Sequence, residues 1–176
     1  MKKIMLLGML LLVKMASAQY KPVDKESALK FKIQNFGFDV TGTFAGLRGN
    51  IHFDPQNPAN DTFDVSVDAN TISTNNELRD SHLRGDGYFD VKNYPVIRFV
   101  SGKVRATNKK GVYLLMGTLT IKDKSRNLSF PFTASSVNNA IVFKGNFRIN
   151  RKDFDIGGVS SISDELEVSL NVIAKK

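Results

Sequence analysis

The chain has 176 residues, 41% of them hydrophobic and 24% charged, with a formal net charge of +8 at neutral pH. This length suits one domain that buries its own core, and the absence of cysteine excludes disulfide-bonded scaffolds and a cysteine nucleophile. The basic excess bears on partners, such as a transient contact with an anionic membrane surface, and not on the fold.

The N-terminus has the layout of a secretory signal peptide. Two lysines follow the first residue, an apolar run covers Ile4–Val13, and the small residues Ala16–Ala18 come next. The apolar run is too short for a membrane-spanning helix, which needs roughly 20 residues. We therefore predict a signal peptide at residues 1–18, a single mature domain at residues 19–176 with a net charge of +5, and a periplasmic or secreted location.

Most of the predicted mature chain alternates apolar and polar side chains with a period of two, which is typical of antiparallel strands with one solvated face. Short turn signals rich in Gly, Asn, Asp and Pro separate these stretches, and the pattern predicts about eight strands in a sandwich or barrel. The apolar faces contain Leu29, Phe31, Ile33, then Phe63, Val65, Val67, Ala69, then Leu128, Phe130, Phe132, Ala134, then Ile141, Phe143, Phe147, Ile149, and finally Leu166, Val168, Leu170, Val172.

One segment breaks the alternation. Thr74-Asn75-Asn76-Glu77 has the spacing of a capping box, which predicts a short helix around residues 75–83. Leu78 and Leu83 are expected to form its buried edge. The two glycines that follow should end the helix before an aromatic strand begins at Tyr88.

No motif for catalysis is present. The sequence lacks a nucleophile elbow, a phosphate-binding loop and a dinucleotide-binding turn. Its two histidines, His52 and His82, lack the spacing of a zinc site. We therefore predict neither an enzyme nor a cofactor or metal site.

Nucleic-acid binding is not predicted either. Single-strand binding proteins place aromatic and basic side chains on one surface, so that bases stack while phosphates are neutralised. Here Lys30 and Lys32 face away from Phe31, because neighbours on a strand point to opposite sides.

The aromatic content leaves two interpretations of the interior. The chain has 13 Phe, 4 Tyr and no Trp. An eight-stranded barrel is either just filled by its side chains or holds one small ligand. Alternation alone allows a lipid carrier with a hollow lumen. It equally allows a structural or stress-response interaction module with a filled core and a protein partner.

A set of motifs resembles the YceI-like family. The strongest are Arg79–Leu83 and Phe89–Phe99, which match the pattern "RDxHL…FFDVxxYPxxxF". Weaker matches follow the same order along the family, at Val40–Phe44, Phe53–Pro55, Ser73–Asn76, Gly117–Ile121 and Asn150–Phe154. The chain departs from the family at Glu26, where a His is common, within Leu119–Leu128, and at Asp155, where the family has Gly.

The resemblance implies an all-β fold, an eight-stranded antiparallel β-barrel that is lipocalin-like with one short helix. It implies binding, storage or transport of a polyisoprenoid or isoprenoid quinone in the lumen, in the periplasm, without catalysis. Some members of the family are linked to base and stress response.

Combining the alternation with this resemblance, we predict ligand contacts from the inward side chains Phe31, Ile33, Phe44, Ile51, Phe53, Phe99, Leu119, Phe130, Phe143 and Phe147. Candidates for contact with a ligand head group are Asn35, Arg79, His82 and Arg151. For Arg79, Asp80 and His82 we favour a structural role, in which they brace the short helix against a barrel end.

Overall fold

The alternating stretches form strands in the computed structural model, which describes residues 19–159 and 161–176. The predicted signal peptide at residues 1–18 lies outside the described residues. The strands are β1 (Gln19–Pro22), β2 (Ala28–Asn35), β3 (Phe38–His52), β4 (Thr62–Ser73), β5 (Val96–Ala106), β6 (Val112–Ile121), β7 (Lys124–Val137), β8 (Ala140–Asn150) and β9 (Ile162–Lys175). One α-helix, α1 (Glu77–Arg84), lies between β4 and β5.

The sheet closes on itself. Consecutive strands from β2 to β9 pair antiparallel, and β9 pairs back onto β2, with Val168 opposite Phe31. These strands form the predicted eight-stranded antiparallel barrel, which is confirmed. The short β1 pairs with β3, Tyr20 opposite Ile51, and then with β9, so it occupies the place between them that β2 does not reach. Among the described strands, closure leaves no open sheet edge along the barrel wall.

Strand direction sorts the connections between the two ends of the barrel. We call the end that carries β1 the floor, and the opposite end the rim. The floor has the connections at residues 23–27, 53–61, 107–111 and 138–139. The rim has the β2–β3 turn at residues 36–37, the segment 74–95 that includes α1, the β6–β7 turn at residues 122–123, and the segment 151–161.

Helix α1 forms where it was predicted, but its cap differs. The N-cap is Asn76, whose side chain accepts a hydrogen bond of 2.9 Å from the Arg79 N–H. Asn75 has a φ of +57°, so the chain turns there and the helix cannot begin at Thr74. Leu78, expected in the buried edge, is 71% exposed, so that expectation is wrong.

The aromatic strand expected from Tyr88 is also not formed. Successive turns hold residues 85–95, with the N–H of Phe89 donating to the Leu83 carbonyl at 3.0 Å and that of Tyr94 donating to the Asp90 carbonyl at 2.8 Å. These local bonds use backbone groups that a strand would offer to its neighbours. The strand β5 begins only at Val96.

Candidate functional site

An apolar cavity of about 260 Å³ occupies the barrel lumen and is open to the outside. An eight-stranded barrel is thus hollow here, and the filled interior of the alternative interpretation is not observed. The cavity walls are almost entirely carbon. Of the ten predicted ligand contacts, nine line the cavity, namely Phe31, Ile33, Phe44, Ile51, Phe99, Leu119, Phe130, Phe143 and Phe147. Their contact with a ligand remains a prediction.

The tenth residue, Phe53, is not part of the cavity lining. It lies just beyond the end of β3 and is 4% exposed. Its ring meets those of Tyr113 and Phe143 edge to face, with centroids 5.2 Å apart in each pair. With Phe63 and Phe132 these rings form a packed cluster, which we call the aromatic floor. It closes this end of the lumen.

On β7, β8 and β9, burial of the inward side chains falls from floor to rim. Phe63 and Phe132, near the floor, are buried. Phe31, Phe147 and Leu166, which face the same lumen nearer the rim, are only half-buried. A packed core would bury all of them alike. The lumen is therefore closed at the floor and accessible toward the rim.

Three glycines on the lumen face let aromatic rings lie against the wall. A Cβ added at Gly42 would come within 2.2 Å of Phe31 Cζ, and one at Gly117 within 2.5 Å of Phe99 Cζ. At Gly145 the nearest ring atom, in Phe130, would be 3.2 Å away. Rings that cover glycine on a neighbouring strand occupy space beside the wall and not the centre of the lumen. These glycines keep the cavity open.

Replacing Gly42 by Ala should therefore close part of the cavity. The new methyl group pushes the Phe31 ring toward the lumen axis, and overpacking of this kind typically costs about 1–3 kcal/mol of stability. We expect weaker fluorescence of an apolar probe, N-phenyl-1-naphthylamine, when it is titrated into the protein. The control is Gly102→Ala, because a Cβ there meets only the Met116 carbonyl at 4.0 Å. Equal probe binding by both variants would contradict the role given to Gly42.

The irregular rim segments contribute lining residues that alternation did not predict. These residues are Tyr88, Phe89 and Ile156. They lie outside regular strands, where a period of two does not define a facing, so the only signal for their burial was an apolar residue within a polar segment. Leu83 of α1, expected in the buried edge of the helix, and Ile121, at the end of β6, also line the cavity. Phe89 packs edge to face on Phe44 with ring centroids 5.5 Å apart.

The polar groups at the rim mostly serve the fold. Arg79 Nε donates to the Thr74 hydroxyl at 2.7 Å, and its terminal nitrogen donates to the Thr74 carbonyl at 3.0 Å. The Asp80 carboxylate accepts hydrogen bonds from the hydroxyl and the N–H of Thr74. Burial opposes ionisation of Asp80, but these bonds and the charge of Arg84 hold its pKa below the usual range. This network ties α1 to the end of β4.

The other head-group candidates differ in position. Asn35 borders the cavity and accepts a hydrogen bond of 2.8 Å from the Ser161 hydroxyl. The side chain of Arg151 is buried among backbone carbonyls of the rim segment. His82 is exposed and is not in the cavity lining. No cluster of metal-ligating side chains occurs within residues 19–159 and 161–176. In the same ranges, no helix has the length and apolar character needed to cross a bilayer.

A buried carboxyl lies at the floor, outside the cavity. Asp61 Oδ1 accepts a hydrogen bond of 2.7 Å from the Asp54 N–H, whereas Oδ2 has no hydrogen-bond partner among the described residues. Burial raises the pKa of Asp61 from 3.8 to about 6; the Asp54 N–H opposes the shift and the Asp54 charge adds to it. The folded protein therefore holds this proton where the unfolded chain releases it.

Stability should consequently fall as the pH rises from about 4 to about 6, because the folded state binds more protons than the unfolded state in that window. We expect Asp61→Asn to remove this part of the pH dependence and to raise stability at pH 7 by about 1–2 kcal/mol. Urea unfolding at pH 4 and pH 7 measures both effects. Asp39→Asn, at a half-exposed ion pair, is the control and should leave the pH 4 to 6 slope in place.

Comparisons with known proteins agree with this geometry. The sequence profile of the YceI-like domain matches residues 20–174. A protein of Yersinia pestis strain Pestoides F called UPF0312 protein is 31% identical over 167 residues, which cover 89% of this chain and 85% of the Yersinia protein.

Two solved structures have the same fold. BcnA of Burkholderia cenocepacia superposes with a TM-score of 0.83 at 23% identity, covering 88% of this chain and 99% of that one. A domain of Saccharophagus degradans, described as a polyisoprenoid binding domain implicated in plant cell wall breakdown, superposes with a TM-score of 0.71 at 16% identity. That match covers 89% of this chain and 97% of the other. With the profile spanning the whole barrel, the sequence resemblance is confirmed, and this chain belongs to the YceI-like family.

Proposed function

We propose that this protein binds a long-chain amphiphile, a polyisoprenoid or an isoprenoid quinone, in its lumen for storage or transport, and that it performs no reaction on it. The observation that carries the proposal is the open cavity of about 260 Å³ with apolar walls. The polyisoprenoid binding domain of Saccharophagus degradans, which shares the fold, supports the choice of ligand class.

The walls are suited to an apolar chain. Each methylene group that leaves water contributes about 0.8 kcal/mol, so a tail of a few isoprene units gains substantial affinity without any polar contact. Aromatic and aliphatic side chains give no directional bonds to such a tail. Selection among tails therefore rests on length and width, and it is loose in comparison with recognition by hydrogen bonds.

The tail enters from the rim with its free end pointing toward the floor, because the aromatic floor blocks entry from the floor end. The polar head then remains at the rim. Asn35 lies at the cavity border there, whereas Arg79 and Arg151 already donate to groups of the protein. A head group thus meets few free donors, and the head contributes less to affinity than the tail.

We also propose that the protein acts in the periplasm or outside the cell, as the predicted signal peptide at residues 1–18 implies. A carrier for apolar chains has a clear use in an aqueous compartment between membranes, since such chains do not cross water freely.

The test is lipid extraction from protein expressed in a bacterial periplasm. We expect mass spectrometry of the organic phase to find a tail-bearing lipid in stoichiometric amount. Two variants of β9 make the comparison sharp. Val168→Glu places a carboxylate in the lumen opposite Phe31, whereas Asn171→Glu places the same group on the outer face of the same strand.

We expect Asn171→Glu to retain the lipid and folded Val168→Glu to lose it, because an isolated carboxylate in an apolar site is strongly disfavoured. Circular dichroism verifies that both variants are folded. Folded wild-type protein without lipid would contradict the proposal and favour a protein-binding module. Retention of lipid by folded Val168→Glu would contradict the lumen as the site.

A further inference from the structure

Large apolar side chains are exposed around the rim. Phe36 and Phe38 are each 76% exposed in and beside the β2–β3 turn, Leu78 is 71% exposed on α1, and Val159 is fully exposed in the segment before β9. Exposed apolar patches of this kind on a globular domain mark interaction surfaces. We call Phe36, Phe38 and Val159 the rim patch.

The conformation of Phe36 singles it out within the rim patch. Phe36 and Gly37 form the two-residue β2–β3 turn with φ values of +51° and +80°. Turns with two positive φ values favour Asn-Gly, and a bulky aromatic residue is a rare occupant of the first position. Neither backbone preference nor burial favours Phe here. A residue that the local fold disfavours points to a function of its side chain.

The rim patch is continuous with the lumen. Phe38 is paired with Asn35, on the strand face that farther down carries the cavity residues Phe31 and Ile33. The Phe36 N–H donates to the Ser161 carbonyl at 3.3 Å, which places the segment containing Val159 next to the turn. An apolar chain entering the cavity over this side of the rim would pass along these side chains.

Several charges at the rim form ion pairs with one another. Lys32 lies 3.6 Å from Asp39, Lys152 lies 2.8 Å from Asp164, and Lys124 contacts both Asp123 and Asp155. A surface with such balanced charge has little attraction for nucleic acid or for an acidic protein. The partner that fits this surface is therefore one into which the apolar side chains of the rim patch can insert.

We infer that the rim docks on a lipid bilayer, with Phe36, Phe38 and Val159 inserted at the boundary between head groups and acyl chains. The inference rests on the proposed function, since a docked rim lets an apolar chain pass from the membrane into the lumen without crossing water. Because insertion is apolar, docking depends little on anionic lipid or on salt.

Flotation with phosphatidylcholine vesicles tests the inference. We expect Phe36→Asn to weaken vesicle binding about tenfold. The same substitution should raise the thermal midpoint of unfolding by about 2 °C, because Asn is favoured in this turn. If Phe36 had only a structural role, the substitution would lower both vesicle binding and the thermal midpoint. Val159→Ser should weaken binding, whereas Val137→Ser, the same change at an exposed residue of the floor end, should not.

Several outcomes would overturn the inference. These are vesicle binding unchanged in Phe36→Asn, equal losses in Val159→Ser and Val137→Ser, or binding that requires phosphatidylglycerol and vanishes in salt. A wild-type dimer in sedimentation velocity that Phe36→Asn converts to monomer, with vesicle binding unaffected, would assign the rim patch to self-association instead.

A probe-binding assay without vesicles tests the proposed function separately. N-phenyl-1-naphthylamine added from ethanol reaches the lumen without vesicles, so Phe36→Asn should bind this probe like the wild type. Wild-type protein that binds vesicles but not the probe would overturn the lumen function and leave the docking result standing. Protein that binds the probe but not vesicles would overturn the docking alone.

Discussion

Arg151→Met should destabilise the protein by about 3–5 kcal/mol, although methionine fits the same volume and tolerates burial. The Arg151 side chain is almost fully buried and donates hydrogen bonds to the backbone carbonyls of Ile156, Gly157, Gly158, Ile162 and Ser163. It also contacts the Asp164 carboxylate at 3.0 Å. Methionine offers no donor, so these oxygens lose their shared partner together.

The effect should be concentrated in the rim segment at residues 151–161. Phe154 and Ile156 anchor this segment by packing against Leu119 and Ile121 of β6. Without the guanidinium the segment keeps these apolar contacts and a few hydrogen bonds to neighbouring segments, such as that from the Gly157 N–H to the Gly87 carbonyl at 2.9 Å. We expect hydrogen exchange to accelerate in its described residues first, while amides in β7 and β8 near the floor stay protected until global unfolding.

Arg148→Met is the matched control. Arg148 lies three residues earlier at the same end of β8, but it is exposed, and its ion pair with Glu165 has a separation of 3.9 Å. Its loss should cost less than about 0.5 kcal/mol. Arg151→Lys should recover little of the lost stability, because one ammonium group cannot donate to all the carbonyls that surround the planar guanidinium. Equal unfolding midpoints in urea for the two Met variants would contradict this account of Arg151.

The lumen-facing side of each strand was predictable because a strand has only two faces. Alternation therefore placed residues such as Phe31 and Phe147 on the cavity side correctly. The same pattern carries no information on height along the barrel axis. Phe53 follows the last residue of β3 and belongs to the aromatic floor, a distinction that depends on how the strands are staggered.

Local details of α1 were harder to predict because two capping residues compete. Thr74 has a Glu three positions later, whereas Asn76 stands directly before the helix. The positive φ of Asn75 decides between them, and Thr74 bonds to Asp80 instead. A sequence pattern contains both options, and only the path of the chain leaving β4 selects one.

The lumen glycines were missed because their role depends on strand register. Gly42 lies opposite Phe31 only if the β2–β3 turn is the two-residue Phe36-Gly37. That dipeptide is not a usual signal for such a turn, so the register was not apparent. The departure at Asp155, by contrast, has a simple explanation. Its φ of +51° suits the Gly of the family pattern, and Asp tolerates this conformation better than most residues.

Phe53→Ala tests the aromatic floor, and we expect a loss of about 3–5 kcal/mol in the free energy of unfolding. The ring is buried and packs on Phe63, Tyr113, Phe132 and Phe143, so its removal leaves a void that these rings fill only in part. Phe38→Ala is the matched control. Its ring is exposed at the rim, and the same truncation should change stability by less than about 0.5 kcal/mol.

The floor variant should also change which tails bind. If a tail occupies the lumen as proposed, the wild-type aromatic floor stops it at the depth of Phe63 and Phe143, which line both the floor and the cavity. Removing the Phe53 ring loosens this stop, so in a series of linear alcohols the tightest-binding chain should become longer. The measurement is displacement of N-phenyl-1-naphthylamine by each alcohol, in buffer without urea and at a temperature where the wild type and Phe53→Ala are both folded. An unchanged optimum in folded Phe53→Ala would show that the rim, and not the floor, sets tail length.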